Sequence, residues 1–130
     1  GSLDQSFGSG GKVLTDLGGD YDLGGTYDAA NAVEVQPDGR IVVAGTGGPT
    51  RDFAVVRYNP DGSLDASFGN GGKVLEDLGG SLTSGFPDSV NALAFQPDQK
   101  ILAVGVGGAS GRGHFVVTRY FGAATTSPGS

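Results

Sequence analysis

An all-β fold is what this sequence predicts, on three observations. No stretch keeps a helical apolar period for as much as two turns. Apolar and β-branched runs such as Val42-Val43-Ala44, Ala54-Val55-Val56 and Val116-Val117 are short and lie between clusters of Gly, Pro and Asp. The chain also repeats itself, for Gly1-Ser2-Leu3-Asp4-Gln5-Ser6-Phe7-Gly8 returns as Gly62-Ser63-Leu64-Asp65-Ala66-Ser67-Phe68-Gly69 at an offset of 61.

The repeat continues along most of the sequence. Gly10-Gly11-Lys12-Val13-Leu14 matches Gly71-Gly72-Lys73-Val74-Leu75, and Asp16-Leu17-Gly18-Gly19 matches Asp77-Leu78-Gly79-Gly80. Asn31-Ala32-Val33-Glu34-Val35-Gln36-Pro37-Asp38 then matches Asn91-Ala92-Leu93-Ala94-Phe95-Gln96-Pro97-Asp98 at an offset of 60, and Phe53-Ala54-Val55-Val56-Arg57-Tyr58 matches Phe115-Val116-Val117-Thr118-Arg119-Tyr120 at 62. The changing offset puts the length differences in two Gly-rich loops, 20–30 against 81–90 and 46–52 against 106–114.

In chain order, residues 31–36 form the first strand of a repeat and residues 40–45 the second, joined by Pro37-Asp38-Gly39. That tripeptide is hairpin chemistry: proline presets φ, the aspartate bonds back to the backbone and the glycine accepts φ > 0. Residues 52–58 form the third strand, and Asn59-Pro60-Asp61-Gly62 is the next turn. The fourth strand lies in 63–68 or in 73–78, and the residues leave both open. Because the apolar runs are continuous and not alternating, the strands should be covered on both faces.

Four strands in up-and-down order within one 60–62-residue repeat make up the content of a β-propeller blade. A sheet that small, apolar on both faces, needs a neighbouring sheet on each side. A β-sandwich gives no reason for near-identical halves, and a β-solenoid coil is usually shorter. The expected fold is an all-β β-propeller with two four-stranded blades per chain.

The run Ser-Leu-Asp-x-Ser-Phe-Gly-x-Gly-Gly-Lys-Val, then Asn-Ala-x-x-x-Gln-Pro-Asp, then Phe-x-Val-x-Arg-Tyr, present twice, resembles the delta-60 repeat family of bacterial sequences. The resemblance spans about residues 1–121. It implies a propeller fold and a secreted or cell-surface location in a bacterium, and it implies no catalytic residues. The second repeat departs from the first at Gln99, which stands in place of Gly39, and at Phe121-Gly122, which follow Tyr120 where Asn59-Pro60 follow Tyr58.

Strand phase sets the expected assembly. Residues 1–17 read as an outer strand segment without a blade of its own, 18–78 as the first blade, 79–121 as a second blade with three strands, and 122–130 as a disordered tail. Two blades cannot close on themselves, since propellers hold about 4–8. The expected partner is the chain itself, in a head-to-tail cyclic homo-oligomer in which residues 2–17 of one copy pair with residues 115–120 of the next. A trimer, with six blades, is favoured over a tetramer, with eight. The alternative is a piece of a longer array of blades.

Composition narrows the chemistry. The 130 residues include 26 Gly and 6 Pro, one His, and no Cys, Met or Trp. Without Cys there is no disulfide, thiolate nucleophile or Cys-ligated metal site. A net charge of −6 with no basic cluster disfavours nucleic acid, because phosphate neutralisation needs grouped Lys and Arg. No apolar run reaches the roughly 18 residues of a membrane span, so no membrane insertion is expected. All acids except Glu34 and Glu76 are Asp, the turn and cap former.

No catalytic residue is expected. His114, the one conventional general base near neutrality, has no Ser or Asp partner pattern around it and stands where the first repeat has Asp52. Gly8-Ser9-Gly10-Gly11 opens no helix, which removes a nucleotide fingerprint. Asp4 and Asp65 lie in stretches that resemble a degenerate Asp-box, whose aspartate caps backbone amides. Arg57-Tyr58 and Arg119-Tyr120 end the third strands and suit stacking or a salt bridge to a neighbouring blade.

No cofactor is expected beyond a calcium candidate at Asp20, Asp22 and Asp28, whose oxygens suit that ion. The second copy has Ser81-Leu82-Thr83 and only Asp88 there. The function expected is a non-enzymatic structural or interaction module. The alternative is carbohydrate binding in the variable loops, with Tyr21, Tyr27, Phe86 and Phe53 as platforms, Arg51, Arg112 and His114 beside them, and a glycan as the partner.

Overall fold

A computed structural model describes residues 1–18, 28–78, 88–108 and 113–122. Among them are seven strands: β1 (Ala29–Val35), β2 (Ile41–Gly47), β3 (Asp52–Tyr58), β4 (Lys73–Glu76), β5 (Ser89–Phe95), β6 (Ile101–Gly107) and β7 (His114–Tyr120). They form an antiparallel four-stranded sheet, β1-β2-β3-β4, and an antiparallel three-stranded sheet, β5-β6-β7. The fold class is all-β, with one sheet per repeat.

Local sequence explains the shared details. Both first strands carry a register shift, between Ala30 and Ala32 and between Val90 and Ala92, so Asn31 and Asn91 are the extra residues of a β-bulge. At the bulge the backbones come so close that a Cβ on Gly45 would lie 1.9 Å from the Ala29 carbonyl oxygen, and one on Gly105 1.9 Å from that of Ser89. Only glycine fits there. Asn31 Nδ2 also donates to the Val90 carbonyl at 2.9 Å and to Ser89 Oγ at 3.0 Å, which ties the two first strands together.

The fourth strand is β4. Its ladder pairs Phe53 with Glu76, Ala54 with Leu75, Val55 with Val74 and Val56 with Lys73. Residues 63–68 make a single bridge, Leu64 to Tyr58, because Asp65 turns the chain there instead of extending it.

Alternation along β2 and β3 sorts two faces. Val42, Ala44, Phe53 and Val55 point at the second sheet and form one buried cluster with Phe68, Val90, Ile101 and Ala103. Ile41, Val43, Ala54 and Val56 point the other way, into a cleft also lined by Phe7, Val13, Leu14 and Leu17. β3 is thus buried from Asp52 to Arg57, as its continuous apolar run predicts. The same prediction fails for β7, where Phe115 is 99% and Val117 66% exposed. Among the described residues no sheet covers that side of β7 and no fourth strand lies along its edge.

Residues 1–17 join no ladder; one local bridge, Ser9 to Lys12, shapes their turn. They lie against the first blade through the Gly8 amide on the Asp61 carbonyl (2.8 Å), Thr15 Oγ1 with the Tyr58 hydroxyl (2.5 Å) and the Leu17 amide on Asp28 Oδ2 (2.9 Å). Residues 62–78 sit likewise against the second blade, where the Leu78 amide donates to Asp88 Oδ2 at 2.8 Å and Phe68 meets Tyr120 edge to face at 6.2 Å.

Candidate functional site

The polar centre of the first blade is Arg57, which is fully buried. Strand alternation aims it between the sheets. Its Nε donates to Asp65 Oδ2 at 2.7 Å, Nη1 to Gln36 Oε1 at 3.4 Å and to the Gly122 carbonyl, and Nη2 to Ser67 Oγ at 3.4 Å. The guanidinium carbon also lies 4.8 Å from the centre of the Phe68 ring. Taking a cation out of water costs several kcal/mol, which only an opposite charge and satisfied donors offset. Gly122, where the sequence predicts the start of a disordered tail, is buried instead because its carbonyl caps this cation.

Asp65 serves two purposes with its two oxygens. Oδ1 accepts the Ser67 amide at 3.0 Å and the Ser67 hydroxyl at 2.6 Å, while Oδ2 accepts Arg57 Nε and forms an ion pair with Arg40 Nε at 3.2 Å. Burial pushes its carboxyl up, but the Ser67 hydrogen bonds together with the charges of Arg57 and Arg40 outweigh it and hold the group below its ordinary value.

In the second repeat the same constellation is incomplete. Gln96, the counterpart of Gln36, has its Oε1 buried with no hydrogen-bond partner, and Arg119, the counterpart of Arg57, is exposed. The Tyr120 hydroxyl is buried without a partner as well, and burial raises its pKa. The counterpart of Asp65 is Asp4, at the far side of the first blade. Asp4 Oδ1 already accepts the Ser6 amide at 2.9 Å and the Ser6 hydroxyl at 2.6 Å, bonds that lower its pKa.

Two apolar faces flank this pattern. On the first blade, Val33 (61% exposed) and Val35 (60%) continue the surface of Ile41, Val43, Ala54 and Val56, which lines a cleft of about 480 Å³. On the second blade, Val104, Phe115 and Val117 form the opposite surface. By the repeat, these are the two faces that already meet between the blades: Val104, Phe115 and Val117 correspond to the buried Ala44, Phe53 and Val55, and Ile41 and Val43 correspond to the buried Ile101 and Ala103.

Other candidates from sequence fall as follows. Arg51 sits half-buried in the β2–β3 turn with φ 55°, and its carbonyl accepts the Asp88 amide at 3.1 Å. His114 is exposed at the start of β7, opposite Gly107. Phe53 is no ligand platform, because β3 alternation buries it in the core. Asp28 uses one oxygen on the Leu17 amide and the other on the Gly48 amide (3.1 Å), as Asp88 does on Leu78 and Gly108, so each is a clamp between a fourth-strand segment and the β2–β3 type of turn. Tyr21, Tyr27, Phe86, Arg112, Asp20 and Asp22 lie outside the described residues.

Among the described residues one acidic group gathers carboxylate oxygens within 4.8 Å of one another: Asp52, Asp77 and Asp88. The sequence carried a signal for it, since Asp28 and Asp88 recur at an offset of 60 and Asp16 and Asp77 at 61. Asp88 is buried with both oxygens on amides and Asp52 accepts Thr50 Oγ1 at 2.5 Å, so the group works first as turn chemistry. No helix among the described residues is long and apolar enough to cross a membrane.

No curated protein and no solved structure matches the chain. A family model described as a domain of unknown function (DUF5122) beta-propeller matches residues 36–68, the stretch from Gln36 through Arg57 and Asp65 to Phe68, and the repeated antiparallel sheets are of that β-propeller type.

Proposed function

We propose that this chain is a non-enzymatic structural and interaction module of the delta-60 type, whose two blades join those of further copies in a closed ring. One observation carries the proposal: the apolar faces at the two ends are the repeat counterparts of the faces packed together in the middle. A contact that forms once inside the chain can then form again between chains, head to tail, with the same geometry.

Magnitudes favour a closed ring over an open pair. Covering Val33, Val35, Phe115 and Val117 contributes about 1.5–3 kcal/mol for each side chain, while bringing two molecules together costs roughly 4–15 kcal/mol. A single apolar contact is close to balance. Closure adds one more interface without joining another molecule, and added ladder hydrogen bonds along β7 remove an open edge. The extracellular or cell-surface setting in a bacterium belongs to the same proposal and comes from the delta-60 resemblance.

Native mass spectrometry over a range of protein concentrations tests it. A single species of three copies is the expected result, four copies would keep the ring and change its blade number, and a monodisperse monomer would overturn it.

A further inference from the structure

Resting on that assembly, we propose that Arg119, Gln96 and Lys100 form a recognition socket on the second blade, and that its occupant is the Asp4 turn of a second copy. The template is inside the chain. Arg57, Gln36 and Arg40 are the counterparts of Arg119, Gln96 and Lys100; Arg57 and Arg40 pair with Asp65, the counterpart of Asp4, and Gln36 Oε1 accepts from Arg57.

Three features distinguish this from a bare open edge. The socket has an unfilled polar atom, since Gln96 Oε1 is buried and partnerless where Gln36 Oε1 accepts Arg57. It carries two cations, Arg119 and Lys100, and the incoming turn carries an anion. The turn is also formed in advance: its bonds from the Phe7 amide to the Asp4 carbonyl (3.1 Å), from the Gly11 amide to the Phe7 carbonyl (2.9 Å) and between Ser9 and Lys12 reproduce those of Asp65, Phe68, Gly72, Asn70 and Lys73. Little ordering remains to be done on docking.

The template fixes the register. Arg57 donates its amide to the Gly72 carbonyl at 2.9 Å and accepts the Asp65 amide at 3.0 Å. The docked pair therefore joins the Arg119 amide to the Gly11 carbonyl and the Asp4 amide to the Arg119 carbonyl, with Lys12 to Thr15 running along Thr118 to Phe115. The guanidinium of Arg119 turns inward onto Gln96 Oε1 and Asp4 Oδ2, above the ring of Phe7. A second copy is the occupant because the chain's own segment lies across the first blade from the socket, against the face that does not meet the second blade.

Asp4→Asn tests the socket, since it keeps an oxygen for the Ser6 amide and removes the charge. Asp61→Asn is the control; Asp61 makes the same two bonds, to the Ser63 amide and hydroxyl, outside the socket. In native mass spectrometry and sedimentation, Asp4→Asn should weaken assembly roughly ten- to hundredfold, the effect of losing a charged hydrogen bond, and Asp61→Asn should not. Assembly of Asp4→Asn at wild-type strength would overturn the socket and leave the ring standing. If the wild-type chain is a monomer, the ring falls and a labelled synthetic peptide of residues 1–18 decides the socket. Saturable binding to the full chain, lost with the Asp4→Asn peptide and with Arg119→Gln in the chain, would support it, and absence of binding would overturn it.

Discussion

Arg57 Nε lies 2.7 Å from Asp65 Oδ2 with both side chains buried, and this pair joins the third strand of the first blade to the turn that precedes its fourth. The guanidinium has no route to water, so its partner cannot be removed without leaving a charge in the interior. Asp65→Ala should lower the free energy of unfolding by about 3–5 kcal/mol, measured by urea denaturation. Asp65→Asn keeps the oxygen that caps Ser67 and should cost less. Equal costs for both would mean that the ion pair, and not the capping bonds, stabilises the turn.

The same carboxylate sets a pH dependence. The folded-state pKa of Asp65 is depressed, so the folded protein holds its proton less tightly than the unfolded chain. Its contribution is complete above the unfolded carboxylate value of about 3.9, and is lost as pH falls through the lower folded value. The urea midpoint should therefore fall with pH below about 4, and that fall should be shallower in Asp65→Asn. A variant with the wild-type slope would assign the acid sensitivity to other groups.

Phe53 and Phe115 occupy the same place in the two repeats, one fully buried and the other 99% exposed. Phe53→Ala should cost about 3–5 kcal/mol of folding stability, the range for emptying an aromatic site in a core. Phe115→Ala should stay within about 0.5 kcal/mol in the dissociated protein while weakening assembly. Matched destabilisation of the dissociated protein by both variants would mean that Phe115 is covered inside a single chain.

Gln99 takes the place of Gly39 in the hairpin turn and keeps a φ of 67°, against 88° for the glycine. A side chain in that region costs about 1–2 kcal/mol. Gln99→Gly should recover about 1 kcal/mol, read as a higher thermal midpoint, provided that the gain in the folded state exceeds the added freedom of the unfolded chain. An unchanged or lower midpoint would place the greater effect in the unfolded chain.

Much of this was legible in the residues. The third strand has the bounds that Asp52-Phe53-Ala54-Val55-Val56-Arg57-Tyr58 suggested, and the recurring Arg-Tyr pair marks the cation of the blade. The first strand begins earlier than expected, at Ala29, because the Asn31 bulge lets the chain stay paired through an irregular position. The choice between 63–68 and 73–78 was not legible, since both are flanked by turns and only the Asp65 cap decides it. Nor was the contrast between Phe53 and Phe115, because near-identical strands acquire opposite exposure from what lies beside them. The clamp that Asp28 and Asp88 each make on two backbone amides is marked in the sequence only by their recurrence at an offset of 60, because an isolated aspartate has oxygens that suit a cation equally well.

The pairing of β7 with residues 12–15 of a second copy can be broken at one atom. Val13 is the counterpart of Val74, which lies opposite Val55 in the β3–β4 ladder, so the docked ladder places Val13 opposite Val117. Val13→Pro removes a backbone donor and fixes φ in the middle of that ladder, whereas in the single chain Val13 belongs to no ladder. The variant should fold with the wild-type far-ultraviolet spectrum and fail to assemble. Replacing the partly exposed Val13 side chain alone, by Val13→Thr, should reduce assembly less, because the backbone donor survives. If Val13→Pro assembles as well as the wild type, the contact between copies runs through the apolar faces and the Asp4 turn without a β7 ladder.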